Sequence, residues 1–232
     1  MENRPIPDTL AKAFTQPSSV FSIDVECVAT GTDHNSRDVA QISLVDYNDN
    51  IILDLHVTPE KPVVSYLTPL TGLTPEKVQS QGRPLAAAVS TMREHLPQNA
   101  ILVGQGIGQD VTWLGLVEGQ DFEGMVDLTG IYRIWNPKYK SYSVFSQDHL
   151  CRVLLGFDTS GSTHDAAGDA VKSMRLFRQY HSYHGDPASW TAAQEKLLAI
   201  PPEPSFAKRF PTFEGVCMGN RKTCRCGAPF LG

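Results

Sequence analysis

The chain has 232 residues, 41% of them hydrophobic and 19% charged, a composition that excludes a disordered, collagen-like or coiled-coil chain and fits a folded globular one. Twenty Lys and Arg against 25 Asp and Glu leave a formal net charge of −5, so the surface is not the basic coat of a non-specific nucleic-acid binder. At roughly 150 residues per domain the length allows one full domain with an extension. No apolar run approaches the ~18 residues that span a bilayer, and Met1 to Phe14 lacks the apolar stretch of a signal peptide. The expectation is an intracellular protein of cytoplasm or nucleus, with no membrane partner.

Residues 1–19 carry three prolines and little periodicity and read as an N-terminal arm that orders against the main body. Val20 to Val28, Val39 to Tyr47 and Ile51 to Val57 alternate apolar and polar residues and predict three strands, the last two joined by the turn residues Asn48-Asp49-Asn50. Three consecutive strands predict an antiparallel meander. A loop with Pro59, Pro62, Pro69 and Gly72 follows, then a helix from Pro84 to about Leu96, stopped by Pro97. Ala100 to Val103 predicts a short buried strand, Gln109 to Val117 a helix after the glycine-rich Gly104 to Gly108, and Met125 to Leu128 another strand. Ser143 to Leu155 and Asp165 to Tyr180 place apolar residues at helical spacing. The order points to an α/β fold, a mixed sheet flanked by helices, over residues 20–184. Composition shifts at Gly185, so residues 185–232 read as a C-terminal extension, with one helix over Ala188 to Ala199 and a cysteine-rich end.

The chemistry-bearing residues are carboxylates. Asp24 and Glu26 stand two apart in the first strand, which puts both on one face. An isolated Asp-x-Glu usually marks a solvated strand face, but this one is embedded in Phe21, Ile23, Val25 and Val28 and predicts a central strand that ends at a cleft. Asp110 falls in the first turn of the helix after Gly104-x-Gly106-x-Gly108, a spacing that does not match a dinucleotide or P-loop fingerprint. His164 and Asp169 enter the late helix. Four acids and a histidine spread over a strand, a strand-to-helix junction and a late helix suit a metal-dependent hydrolase.

In order and spacing, Asp24-Val25-Glu26, Gly104 to Asp110, and His164-x4-Asp169-Ala170 resemble the three motifs of the DEDDh, DnaQ-like 3′→5′ exonucleases. The likeness is strongest to Rex-type RNA exonucleases and the exonuclease subunit of the poly(A) deadenylase. Val64 to Pro75 resembles the tyrosine-leucine and Thr-Gly-Ile stretch of those enzymes, and Met125 to Leu128 their Val-Asp-Thr strand. The resemblance covers roughly residues 21–180. It implies an RNase H-like sheet and two Mg²⁺ or Mn²⁺ ions, with Asp24 bridging both, Glu26 and Asp169 on the nucleophile side, and Asp110 holding the second through water. It makes His164 the general base and implies hydrolysis of single-stranded nucleic acid from a free 3′ end to nucleoside 5′-monophosphates, with RNA as the substrate by subfamily likeness. It further implies that the backbone of Cys27 and Val28 and the loop from Leu70 to Leu73 line the pocket for the terminal nucleotides, with Leu73 as an apolar wedge; a core role fits these apolar residues equally. Gln105 stands where many relatives have histidine or asparagine, a change expected to tune packing.

Two stretches invite readings of their own. Tyr132 to Lys140 interleaves cations and aromatics, among them Arg133 and Trp135, which suits either a solvated loop or a platform for phosphates and stacked bases. Cys217, Cys224 and Cys226 offer three soft ligands where structural zinc takes four, with His181 or His184 as the fourth if the tail folds back; unligated thiols fit the spacing equally. A DNA-directed exonuclease and a non-catalytic nucleic-acid-binding scaffold are the rival functions.

Overall fold

The computed structural model describes residues 7–158 and 163–219. In chain order the elements are α1 (Asp8–Thr15), β1 (Val20–Ala29), β2 (Arg37–Asp46), β3 (Ile51–His56), α2 (Thr68–Thr71), α3 (Pro75–Gln81), α4 (Leu85–His95), β4 (Ile101–Gly104), α5 (Gly108–Leu114), β5 (Gly124–Asp127) and α6 (Leu128–Ile131). They continue with β6 (Ile134–Asn136), β7 (Ser141–Ser143), α7 (Gln147–Leu150), α8 (Ala166–His184), α9 (Pro187–Ala199), α10 (Phe206–Arg209), β8 (Thr212–Phe213) and β9 (Val216–Cys217). No helix among the described residues is long and apolar enough to cross a membrane.

Five strands form one mixed sheet in the order β3-β2-β1-β4-β5. The meander pairs antiparallel and β4 and β5 add in parallel beyond β1, which is the predicted architecture. The period of two along β1 divides its residues between two layers. Ile23 and Val25 pack with Ala88 and Met92 of α4 and Val111 and Leu114 of α5, while Val20 packs with Met174 and Phe177 of α8 on the opposite face. Each such side chain buried contributes ~1.5–3 kcal/mol relative to exposure. Parallel pairing of β1 with β4 covers only Val20 to Ser22. The remainder of β1 therefore runs past the end of β4 and carries Asp24 and Glu26 into the crevice at the carboxyl ends of the parallel strands, where open α/β sheets bind their ligands.

The helices α1 and α9, on either side of this sheet in sequence, join this body. Leu10 and Ala13 of α1 and Leu197 of α9 belong to the same core as α8, and Trp190 of α9 packs edge-on to Tyr180 at 5.3 Å.

Several local expectations change. The helix predicted over Ser143 to Leu155 is α7, capped by the Ser146 side chain and followed by a π-helical turn over Cys151–Leu155 that ends where Gly156 turns left-handed at φ 72°. The helix predicted to Val117 stops at Leu114, because Gly115 adopts φ 59°. The loop after β3 contains α2 and α3, and the cation-aromatic stretch folds into the hairpin β6–β7.

Candidate active site

Asp169 sits in the first turn of α8 and is 4% exposed. Its Oδ2 lies 2.6 Å from Nδ1 of His164, and its Oδ1 accepts from Nζ of Lys172 at 2.7 Å. Glu26, His164 and Asp169 offer donor atoms that all lie within 4.8 Å of one another. Asp110, 8% exposed in the first turn of α5, faces the same acids from the end of β4.

The position of each residue has a local cause. His164 hangs from α2, its backbone N–H donating to Leu70 O at 2.6 Å. The approach is closed by Gly72 at φ 66°, where a Cβ would stand 3.4 Å from the His164 carbonyl. α8 is registered on the sheet by Gln41 of β2, whose amide donates to Asp165, the residue that caps α8, at 2.9 Å, and to Asp54 at 2.8 Å. Gln147 fixes the next turn by donating to Asp169 O at 2.9 Å and Ser173 Oγ at 2.8 Å. At the glycine-rich turn Gly106 takes φ 70° and donates its N–H to Asp127 Oδ1 at 2.9 Å. Gln105 spends its amide on Thr129 Oγ1 at 3.1 Å and Phe145 O at 3.0 Å, a packing role.

The electrostatics are those of an acid cluster short of positive charge. Burial, with Glu26, Asp110 and Asp169 alongside, holds the Asp24 carboxyl well above its ordinary range. Burial and the neighbouring acids push Glu26 up to about 8 against the pull of His164, and burial pushes Asp110 up to about 7. Asp169 goes the other way. Burial would raise it, but the His164 hydrogen bond and the Lys172 ammonium outweigh that and hold it low. The bond to Asp169 in turn raises His164 against the effect of burial. Hard oxygen donors on one strand and two helix starts, with their charge uncompensated, fit a divalent cation of the Mg²⁺ or Mn²⁺ type.

A cleft of about 740 Å³ opens onto Glu26 and His164 and is also lined by Cys27 and Leu70. Val28 and Leu73 are not in its wall. For the Leu73 side chain the core alternative holds and the apolar wedge is corrected: Leu73 is 1% exposed and packs with Val28, Ala40 and Val78 in a small core. Arg133 and Trp135 are exposed on the β6–β7 hairpin, where the Arg133 guanidinium lies 4.3 Å from the Tyr142 ring centre and Trp135 meets the same ring edge-on at 5.3 Å. Cys217 is buried on β9, and Cys224 and Cys226 lie outside the described residues. His181 stacks on Phe14 at 4.2 Å, and His184 lies 5.3 Å from the same ring.

Sequence reasoning missed Lys172, Asp148 and Gln41. Lys172 was detectable, because i and i+3 share a helix face and Asp169 had already been singled out. Asp148, whose Oδ2 lies 3.7 Å from His164 Nε2, sits on α7 with no motif around it.

Residues 21–177 match the model of the RNase_T family, described as exonuclease. Among curated proteins the chain is 27% identical over 161 residues to small RNA degrading nuclease 3 of Arabidopsis thaliana, covering 68% of this chain and 20% of that protein. It is 27% identical over 207 residues to RNA exonuclease 4 of Cryptococcus neoformans, covering 86% of this chain and 48% of that protein. The chain thus spans less than half the length of either relative. Its fold matches the Pan2 catalytic unit of Neurospora crassa with a TM-score of 0.62 at 20% identity, over 80% of this chain and 30% of that one.

Proposed function

This chain belongs to the RNase_T exonuclease family, and from that premise we propose that it is a metal-dependent 3′→5′ exoribonuclease that releases nucleoside 5′-monophosphates from single-stranded RNA. The observation that carries the reading is the convergence of Glu26, His164 and Asp169 within 4.8 Å beside the cleft that Glu26 and His164 line, backed by the raised carboxyls of Asp24 and Asp110. Asp24, Glu26, Asp110 and Asp169 would hold two Mg²⁺ or Mn²⁺ ions. Such a pair supplies a more acidic water and neutralises charge developing on the scissile phosphate.

The chain's own residues have distinct tasks. Asp169 orients the His164 ring through Nδ1, and Nε2, 3.7 Å from Asp148 Oδ2, would take the proton of the attacking water. Cys27 and Leu70 border the terminal nucleotides within the cleft. Arg133 and Trp135 would hold the strand farther from the cut, by charge and by stacking. The reaction adds water across one phosphodiester, leaving a 5′-monophosphate and a strand one nucleotide shorter with a new 3′-hydroxyl. RNA as substrate draws support from the names of both relatives, which are RNA-degrading nucleases.

Incubation of 5′-labelled single-stranded RNA and matched DNA with Mg²⁺ or Mn²⁺, beside Asp24→Ala, tests the proposal. A ladder shortening from the 3′ end, faster on RNA and absent in the variant, is expected. Faster loss of DNA would transfer the assignment to a deoxyribonuclease, and cleavage of neither strand would favour a binding module.

A further inference from the structure

The stretch from Pro201 to Met218 lies beyond the residues matched by the family, yet it forms one side of the active-site cleft through Glu203, Phe206, Arg209 and Met218. Two arginines fasten it. Arg152 of the π-helical turn donates to Pro201 O at 2.8 Å and stands 3.6 Å from Glu203 Oε1. Arg37 of β2 donates to Cys217 O at 3.2 Å. Between these clamps the Ser65 hydroxyl donates to Glu214, the Cys217 N–H donates to Thr32 O at 2.8 Å, and Val216 is buried with Ala29 and Leu67. This many anchors make a built wall out of a segment with little helix or strand of its own.

On that wall Arg209 differs from its neighbours. Arg37 and Arg152 are spent on clamping, whereas Arg209 is exposed, faces the cleft, and pairs with no carboxylate among the described residues. Its contact is the ring of Phe210, whose centre is 6.0 Å from the guanidinium. A guanidinium so placed suits a phosphate oxygen. We propose that Pro201 to Met218 is the outer wall of the strand-binding channel, and that Arg209 contacts a backbone phosphate of the bound RNA upstream of the scissile one. The assignment rests on the exoribonuclease reading and adds to it a positioning residue outside the matched domain.

The test uses the full chain and two substrates. A nucleoside 5′-monophosphate p-nitrophenyl ester reports the acid cluster alone, and a single-stranded RNA oligomer reports the cluster and the wall together. Arg209→Ala is expected to raise KM for the oligomer, to leave hydrolysis of the ester unchanged, and to make the slope of log kcat/KM against log salt shallower by about 0.7, the share of one phosphate contact on a single strand. Lys208→Ala, which removes a neighbouring exposed charge outside the cleft lining, should change none of these. An Arg209→Ala oligomer KM and salt slope equal to wild type would overturn the channel wall while leaving the nuclease intact. Faster oligomer cleavage by Arg209→Glu would also overturn it, because the segment would then be obstructing the cleft. Wild type inactive on both substrates would sink the parent reading and this one together.

Discussion

Gln41 and Asp165 join the sheet to the late helix: the Gln41 amide on β2 donates to the carboxylate that caps α8 at 2.9 Å, while its carbonyl oxygen accepts the Ala166 N–H at 3.4 Å. This glutamine sets the position of Asp169, one turn further on, against Glu26, which pairs with Gln41 across the β1–β2 ladder. Gln41→Ala should cost ~1–3 kcal/mol, since it leaves the buried Ala166 N–H without its acceptor. Urea unfolding checks this. Mg²⁺ titration by calorimetry should show a weaker site in the variant than in wild type.

Removing a member of the acid cluster separates stability from turnover. Asp24→Ala is expected to lower kcat by at least ~10²-fold, the scale on which single electrostatic contacts to a transition state act. The same change removes a carboxyl that burial and the neighbouring Glu26, Asp110 and Asp169 hold well above its ordinary range. The metal-free variant should therefore unfold at a higher urea concentration than metal-free wild type. Loss of both activity and stability would mean that Asp24 is structural.

The raised Glu26 carboxyl makes the metal-free protein sensitive to base. Its folded pKa of about 8 exceeds the 4.5 of an ordinary glutamate, so the folded state binds the extra proton. That contribution is complete below the unfolded value and is lost as pH rises through the folded one. In EDTA the melting temperature of wild type should fall relative to Glu26→Gln between about pH 4.5 and about 8. Added Mg²⁺ should reverse the difference at the alkaline end. Parallel profiles for the two proteins in EDTA would count against the shift.

His164 predicts the shape of the rate profile. As the proposed base it would work neutral, and its hydrogen bond to Asp169 raises its pKa above 6.5. Turnover in wild type should climb with pH through that titration, and His164→Ala should be slower and lack the climb, with Mg²⁺ binding retained. Single-turnover kinetics across pH 6 to 9 would read this, and an unchanged limb in the variant would exclude the histidine as base.

The strands and the acids were legible in the sequence for the same reason: both obey short periods. The alternation in Val20 to Val28 places Ile23 and Val25 in one layer and Asp24 and Glu26 on the other face, and the structure follows it. The wedge and core readings of Leu73 were not separable in the sequence, because an apolar residue beside a motif looks the same whether it faces a ligand or a core; only the packing with Ala40 and Val78 separates the two. The helix over Ser143 to Leu155 was misjudged since a π-helical turn keeps helical-looking apolar spacing up to Gly156. The wall made by Pro201 to Met218 could not be read at all. Its anchors, Arg37, Ser65 and Thr32, lie about 150 residues or more away along the chain, and no local pattern encodes them.

The five site residues run from Asp24 to Asp169, and β1, which bears the first two, is the middle strand of its sheet. A chain emerging during synthesis completes strands β1 to β5 and presents Asp24, Glu26 and Asp110 long before His164 and Asp169 arrive. His164, Asp169 and Lys172 come last, with the entry to α8, so the three earlier acids stand without them until the domain is almost whole. On the proposed function, a chain interrupted anywhere before Asp169 should be inactive however well its sheet has formed.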